Sequence, residues 1–132
     1  MSRRELREQI FKLLFRIEFN DEAEMPEQMA FFFEAEETLE DSVKEEISRK
    51  YTAVLEKKEE LDQMLDEKAT GWTVSRMGKV DLTILRLALF EMLYDDAIPV
   101  SVAINEAVEL AKKFGQAESP AFVNGILAKF AN

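Results

Sequence analysis

The sequence has 132 residues, a formal net charge of −10, and no cysteine or histidine. The length fits one domain, residues 1–132, with a substantial core. The missing residue types exclude disulfides, thiolate nucleophiles, imidazole acid–base catalysis and the common zinc sites. Because no apolar run reaches transmembrane length and the N terminus lacks a signal-peptide pattern, we expect a cytoplasmic protein.

The negative charge is concentrated in the middle of the chain. Residues 18–68 contain 18 acidic and six basic residues, whereas residues 1–17 contain five basic and two acidic residues. An acidic body disfavours general nucleic-acid binding, because it repels phosphate over most of the surface. The short basic end is the exception.

The first predicted helix begins at a capping box formed by Ser2 and Glu5. At about 100° per residue, four side chains fall together just outside its apolar stripe: Arg4, Arg7, Phe11 and Phe15. Such a strip suits an RNA or protein partner, because arginine neutralises phosphate and aromatic rings offer flat apolar contacts. The alternative is that both rings widen the core and the arginines are solvated.

The acidic middle of the chain predicts three further helices. One is opened by Pro26, a longer one starts at Thr38, and a short one ends near Thr70. The charged run Lys57–Glu60 is interpreted as a solvated face or as a turn between two of these helices.

The fifth predicted helix, from about Lys79 to Tyr94, is apolar nearly all round. That pattern indicates a helix at the centre of a bundle or one covered by a partner. Arg86 lies in its middle and is expected to pair with a carboxylate or a helix end, because an unpaired buried charge is very costly.

Two more helices are predicted at the C-terminal end. Pro99 opens the first, and Gly115 is predicted to end it as a left-handed cap. Ser119 is predicted to cap the second helix with Pro120 as its first residue, and Gly125 to let another helix approach closely. Seven helices without a strand pattern predict an all-α bundle.

Two stretches of this region resemble the NusB family of transcription antitermination factors. The first is VAINEAVELAKKFG, followed by S-x-x-FVNG-I-L; the second is the segment DLTILRLALFE at 81–91. The resemblance is strong over residues 76–128 and looser in the opening Arg-rich helix. It implies an all-α fold of about seven helices in two packed helical subdomains.

The resemblance also implies a function and partners. NusB-like factors bind the boxA element of nascent RNA together with the small-subunit ribosomal protein NusE. They act in an antitermination complex with RNA polymerase, chiefly in ribosomal RNA operons. NusB-like domains also precede RNA methyltransferase domains, but this sequence resembles the stand-alone factor. The sequence has no Gly-rich phosphate loop, no G-x-S-x-G motif and no metal-ligand cluster, so we expect no enzyme activity, no cofactor and no metal.

Five residues correspond to RNA-binding positions of the family. Arg3, Arg4 and Arg7 match its Arg-rich opening and are expected to contact RNA phosphates. Phe122 begins the FVNG motif and is expected to stack on a base or face the RNA. Glu118 occupies an acidic position where a negative charge should temper RNA affinity.

Protein partners are assigned to four residues: Phe11, Phe15, Asp81 and Leu82. Phe15, Asp81 and Leu82 are the candidates for the NusE surface. An alternative function is a helical homodimer that binds no RNA, with Phe11 and Phe15 as anchors of a self-complementary contact.

Overall fold

The computed structural model describes residues Met1–Ala131, and all regular secondary structure in that range is helical. Within this range the seven α-helices are α1 Arg3–Phe15, α2 Met25–Ala35, α3 Asp41–Glu56, α4 Lys58–Lys68, α5 Lys79–Tyr94, α6 Val100–Phe114 and α7 Ser119–Ala128. Short 3-10 helices are present at Arg16–Glu18, Glu22–Glu24 and Val74–Arg76. The predicted all-α class with seven helices is confirmed.

The chain divides into two compact units, Met1–Leu55 and Glu56–Asn132. The first unit contains α1, α2 and nearly all of α3, and the second contains α4 to α7. No helix within residues 1–131 is long and apolar enough to cross a membrane.

In the first unit, the predicted capping box starts α1. The Glu5 backbone N–H donates to Ser2 Oγ at 3.0 Å, and the Ser2 N–H donates to Glu5 Oε1 at 3.2 Å. After α1, the Arg16 guanidinium donates to Gln28 Oε1 at 3.1 Å and lies 5.5 Å from the centre of the Phe32 ring. These contacts tie the end of α1 to α2.

In the second unit, α5 is buried continuously from Leu82 to Glu91. Helices α4, α6 and α7 of the same unit pack against it. Arg86, near the middle of α5, forms a bidentate ion pair with Asp62 on α4. Its Nε donates to Asp62 Oδ1 at 2.7 Å, and its Nη2 donates to Asp62 Oδ2 at 2.8 Å. Planar two-bond geometry of this kind is the strongest form of arginine–carboxylate pairing. The expected structural pairing of Arg86 is confirmed.

The α6–α7 junction differs from its prediction. Gly115 has φ −94° and is not left-handed. It is required by close approach, because a Cβ there would lie 2.6 Å from Ser119 Cβ and 2.8 Å from the Ala111 carbonyl oxygen. Ser119 is the first residue of α7, and its hydroxyl accepts a hydrogen bond from the Gln116 N–H at 2.9 Å instead of capping the helix. At Gly125 no neighbouring atom would lie within 4 Å of an added Cβ, so the expected close helix approach is wrong.

Candidate nucleic-acid interface

The second unit contains a cleft of about 730 Å³ with a mostly apolar lining. One wall comes from Trp72, in the segment before α5, and from the first turn of α5, where Asp81 lies. The other wall comes from the end of α6, the α6–α7 loop and the first turn of α7, which contribute Phe114, Glu118 and Phe122. The tight turn that Gly115 allows returns the chain directly into α7, so Glu118 and Phe122 face the same cleft.

Two aromatic rings meet in the cleft. The centroids of Trp72 and Phe122 are 5.3 Å apart with an interplanar angle of 73°, an edge-to-face contact. Trp72 is 44% exposed, although a tryptophan usually buries most of its large apolar surface. The arrangement leaves aromatic surface open to a ligand.

Local backbone structure positions a cation beside this pair. Gly71, with φ +84°, turns the chain before Trp72, and the Val74 N–H donates to Asp66 Oδ1 at 2.7 Å to fix the following 3-10 helix. That helix ends at Arg76, whose guanidinium carbon lies 5.7 Å from the Trp72 ring centre. Within the described part of the chain, Arg76 is exposed and has no carboxylate partner.

Two carboxylates complete the cleft. Asp81 lies in the first turn of α5, where the positive end of the helix dipole favours a negative charge. Glu118 immediately precedes α7. Among residues 1–131 neither side chain has a hydrogen bond or an ion pair, so both can accept hydrogen bonds from a ligand.

The structure places the predicted RNA-binding residues in two groups. Phe122 and Glu118 lie together in the cleft of the second unit, whereas Arg3, Arg4 and Arg7 lie on α1 of the first unit. Arg3 and Arg4 are exposed, and Arg3 Nη1 lies 2.7 Å from Glu46 Oε1. Arg7 is only 9% exposed and has contacts within the chain. A buried guanidinium offers little surface to a phosphate.

The predicted partner residues are also divided. Phe11 is 3% exposed and Leu82 is 4% exposed, so both are corrected to core positions that present almost no surface. For Phe11 this is the core alternative left open by the sequence, and the homodimer hypothesis loses one of its two anchors. Phe15 is half-buried. Its ring centroid lies 5.1 Å from that of Phe19, whose side chain is 62% exposed. Asp81 lines the same cleft as Phe122.

Sequence reasoning missed Trp72 and Arg76. Both lie in an irregular segment without helical periodicity, and their contact depends on a turn and a 3-10 helix. The one available signal was a lone tryptophan directly after a glycine in an otherwise polar stretch.

Comparison with known proteins identifies the family. Residues 4–132 match the model of the NusB family. A protein of Agathobacter rectalis named transcription antitermination protein NusB is 52% identical over 131 residues, which are 99% of this chain and 100% of that protein. The chain therefore belongs to the NusB family.

Solved structures share the fold. NusB of T. maritima superposes with a TM-score of 0.89 at 34% identity, covering 99% of this chain and 91% of that one. A structure of the antitermination factors NusB and NusE in complex with dsRNA gives a TM-score of 0.83 at 22% identity, covering 96% and 92% of the two chains. The second similarity shows the common fold alone.

Proposed function

We propose that this protein is a transcription antitermination factor that binds boxA RNA together with the ribosomal protein NusE and promotes transcription through ribosomal RNA operons. The observation that carries the proposal is the 52% identity, over nearly the whole of both chains, to a relative named as an antitermination protein. The protein acts in the cytoplasm as part of the RNA polymerase antitermination complex. It binds RNA and protein and is not an enzyme.

RNA contacts are proposed on both units. On α1, Arg3 and Arg4 are exposed and supply positive charge for phosphates. Arg7, which is buried, is proposed to act by supporting this end of α1 and not by direct contact. In the cleft, Phe122 supplies a ring for base stacking, and Glu118 tempers affinity through its unpaired negative charge.

NusE is proposed to supply positive charge that this acidic chain lacks. With a net charge of −10, the protein repels RNA over much of its surface, and a basic partner offsets that repulsion. Phe15 and Asp81 are proposed as contacts to NusE, since both have accessible surface. Leu82 is buried and is proposed to hold the start of α5 in place.

Binding of labelled boxA RNA, measured with and without NusE across a salt series, tests the proposal. We expect tight, salt-sensitive binding with NusE and much weaker binding without it, because phosphate contacts release counterions. A boxA sequence with scrambled order is the control. Equal affinity for both RNAs, or no RNA binding in the presence of NusE, would contradict the proposed function.

The α1 contribution is tested by changing Arg3 and Arg4 to Gln together. The change should lower boxA affinity and reduce the slope of log K against log salt by about 0.7 for each lost phosphate contact with single-stranded RNA. Arg49→Gln, at an exposed arginine on α3, is the matched control. An unchanged salt slope in the double variant would remove α1 from the RNA surface.

A further inference from the structure

Half of the exposed large apolar side chains in the described part of the chain lie at one end of the second unit. Eight such side chains are exposed among residues 1–131, and four of them lie within the ten residues from 93 to 102. These four, each between 38% and 42% exposed, are Leu93 and Tyr94 in the last turn of α5 and Val100 and Val102 in the first turn of α6. We call these four residues the α5–α6 end.

A tight connector holds the two helix ends together. The Ile98 N–H donates to the Asp95 carbonyl oxygen at 3.1 Å, and the Ala97 N–H donates to Asp95 Oδ1 at 3.1 Å. Because the connector has only five residues and α5 packs against α6, the four side chains lie at the same end of this helix pair. At 1.5 Å of rise per residue, Asp81 in the first turn of α5 lies about 20 Å from this end.

Local stability does not explain the two exposed valines. The first turn of α6 has no acidic residue and no side-chain cap, although polar side chains are favoured at such positions. The buried face of α6 is formed by other residues, namely Ala103, Ala107, Leu110 and Ala111. A cluster of apolar side chains that serves neither the core nor a helix cap is typical of a protein-binding surface.

Tyr94 is fixed in place before any partner binds. Its hydroxyl donates to Glu60 Oε2 at 2.5 Å, and the Lys57 ammonium lies 5.0 Å from its ring centre. The Phe90 ring supports it at a centroid distance of 5.6 Å. A tyrosine held in this way loses little conformational freedom on association, and tyrosine is enriched among the residues that contribute most to binding.

The charges around the α5–α6 end determine the chemistry of a partner. Residues 87–111 contain five acidic residues and no basic residue. Asp96, in the connector, is exposed and has no ion pair or hydrogen bond within residues 1–131. Lys57 is already paired with Glu60 at 3.7 Å. This negative charge repels RNA and a second copy of the same surface, whereas it attracts a basic protein segment.

We propose that the α5–α6 end docks a basic amphipathic segment of a second protein partner, distinct from NusE. The apolar side chains of the segment cover the four exposed residues, and its lysines or arginines pair with carboxylates such as Asp96. The inference rests on the proposed function only for the position of NusE. Asp81 and the cleft, at the other end of α5, stay free for NusE and RNA.

A synthetic amphipathic helix of leucine and lysine is the probe, and NMR of isotope-labelled leucine and valine methyl groups in the full-length protein shows where it binds. We expect the methyl resonances of Leu93, Val100 and Val102 to shift saturably. Those of Leu39 and Val43, half-buried in the acidic first unit, should stay unchanged. A peptide with glutamate in place of every lysine is the charge control and should not bind.

Variants separate apolar contact from charge. Leu93→Ser and Val102→Ser together should weaken peptide binding roughly tenfold, since two apolar contacts are lost. Asp96→Asn should reduce the salt dependence of binding. Phe31→Ser, at an exposed ring on α2, is the matched control and should bind the peptide as the unaltered protein does. A preformed complex with NusE should also bind the peptide with unchanged affinity.

The outcomes separate this inference from the proposed function. No peptide binding, or shifts spread evenly over the methyl groups of both units, would overturn the docking surface. Loss of peptide binding in the NusE complex would overturn the assignment to a second partner. Neither result affects the boxA measurement, because the peptide titration contains no RNA. Absence of boxA binding would overturn the proposed function and leave this surface standing.

Discussion

Arg86 shows how one buried charge is accommodated. Its side chain is 7% exposed and its partner Asp62 is 19% exposed, so most of the pair is removed from water. Asp62 also has Lys58 Nζ at 3.8 Å, one turn earlier on α4. Loss of Asp62 takes away the two hydrogen bonds that its carboxylate accepts from the buried guanidinium. Loss of Arg86 leaves a carboxylate that still lies near a second cation.

This asymmetry gives a stability prediction. Asp62→Ala should lower the free energy of unfolding by about 3 kcal/mol, the range for breaking a buried pair from one side. Arg86→Met should cost less, because Asp62 is more exposed and keeps Lys58. Urea denaturation measures both. Lys112→Ala, at the exposed Lys112–Glu109 pair, is the control and should change stability by less than about 1 kcal/mol. Equal losses of stability in Asp62→Ala and Lys112→Ala would show that the Arg86–Asp62 pair contributes no more than an exposed ion pair.

Both tyrosines should titrate abnormally. The hydrogen bond from the Tyr94 hydroxyl to the Glu60 carboxylate raises the pKa of Tyr94 above its ordinary 10.0, and burial raises the pKa of Tyr51, with a further contribution from Glu22. A raised pKa means that the folded state holds the proton more tightly. The resulting stabilisation is complete below pH 10 and is lost as the pH rises through the folded-state pKa values.

Absorbance at the tyrosinate band measures this directly. In the folded protein the band should appear above pH 10, and in urea it should appear near pH 10. Because the chain has only two tyrosines, Tyr94→Phe isolates Tyr51. A folded-state midpoint at or below that of the unfolded chain would show that the Glu60 contact and the burial of Tyr51 do not hold in solution.

At the scale of single helices, two glycines near α7 have opposite roles. Gly115 lies where a Cβ would meet Ser119 at 2.6 Å, and Ser119 is buried. Gly125 lies on the exposed side of α7, where an added Cβ would have no neighbouring atom within 4 Å. The first glycine is required by packing. The second weakens its helix, because glycine loses more conformational freedom on folding than alanine does.

The same substitution should therefore have opposite signs at the two positions. Gly115→Ala should destabilise the protein by about 1–3 kcal/mol through overpacking. Gly125→Ala should stabilise it by about 0.5–1 kcal/mol. Thermal and urea unfolding measure the stability of both variants, and each variant serves as the control for the other. Stabilisation by Gly115→Ala would show that the loop can relax away from Ser119.

The helices were predictable where periodicity and composition agree. The predicted bounds of α5 match the structure, because a nearly continuous apolar run lies between Gly78 and Asp95. The expected burial of Arg86 also predicted that it needs a carboxylate partner. The identity of that partner, Asp62 on another helix, could not be predicted from the sequence. The glycine at position 115 is required by close packing against Ser119, and no local sequence pattern predicts such packing. Trp72 and Arg76 lie in an irregular segment, where sequence periodicity carries no information.

At the scale of the whole molecule, charge distribution sets the limits on function. The acidic residues 18–68 disfavour nonspecific RNA binding. Specific contacts must therefore supply most of the affinity, with a basic partner reducing the repulsion. This balance is consistent with a factor that recognises one RNA element as part of a larger assembly.

Terminator read-through in reconstituted transcription measures antitermination by this protein. RNA polymerase, NusE and the other elongation factors are held constant, and this protein is added or omitted on templates with an intact or a scrambled boxA upstream of a terminator. We predict that the protein increases read-through only on the intact boxA template. Equal read-through on both templates, or no increase on either, would contradict the assignment as an antitermination factor.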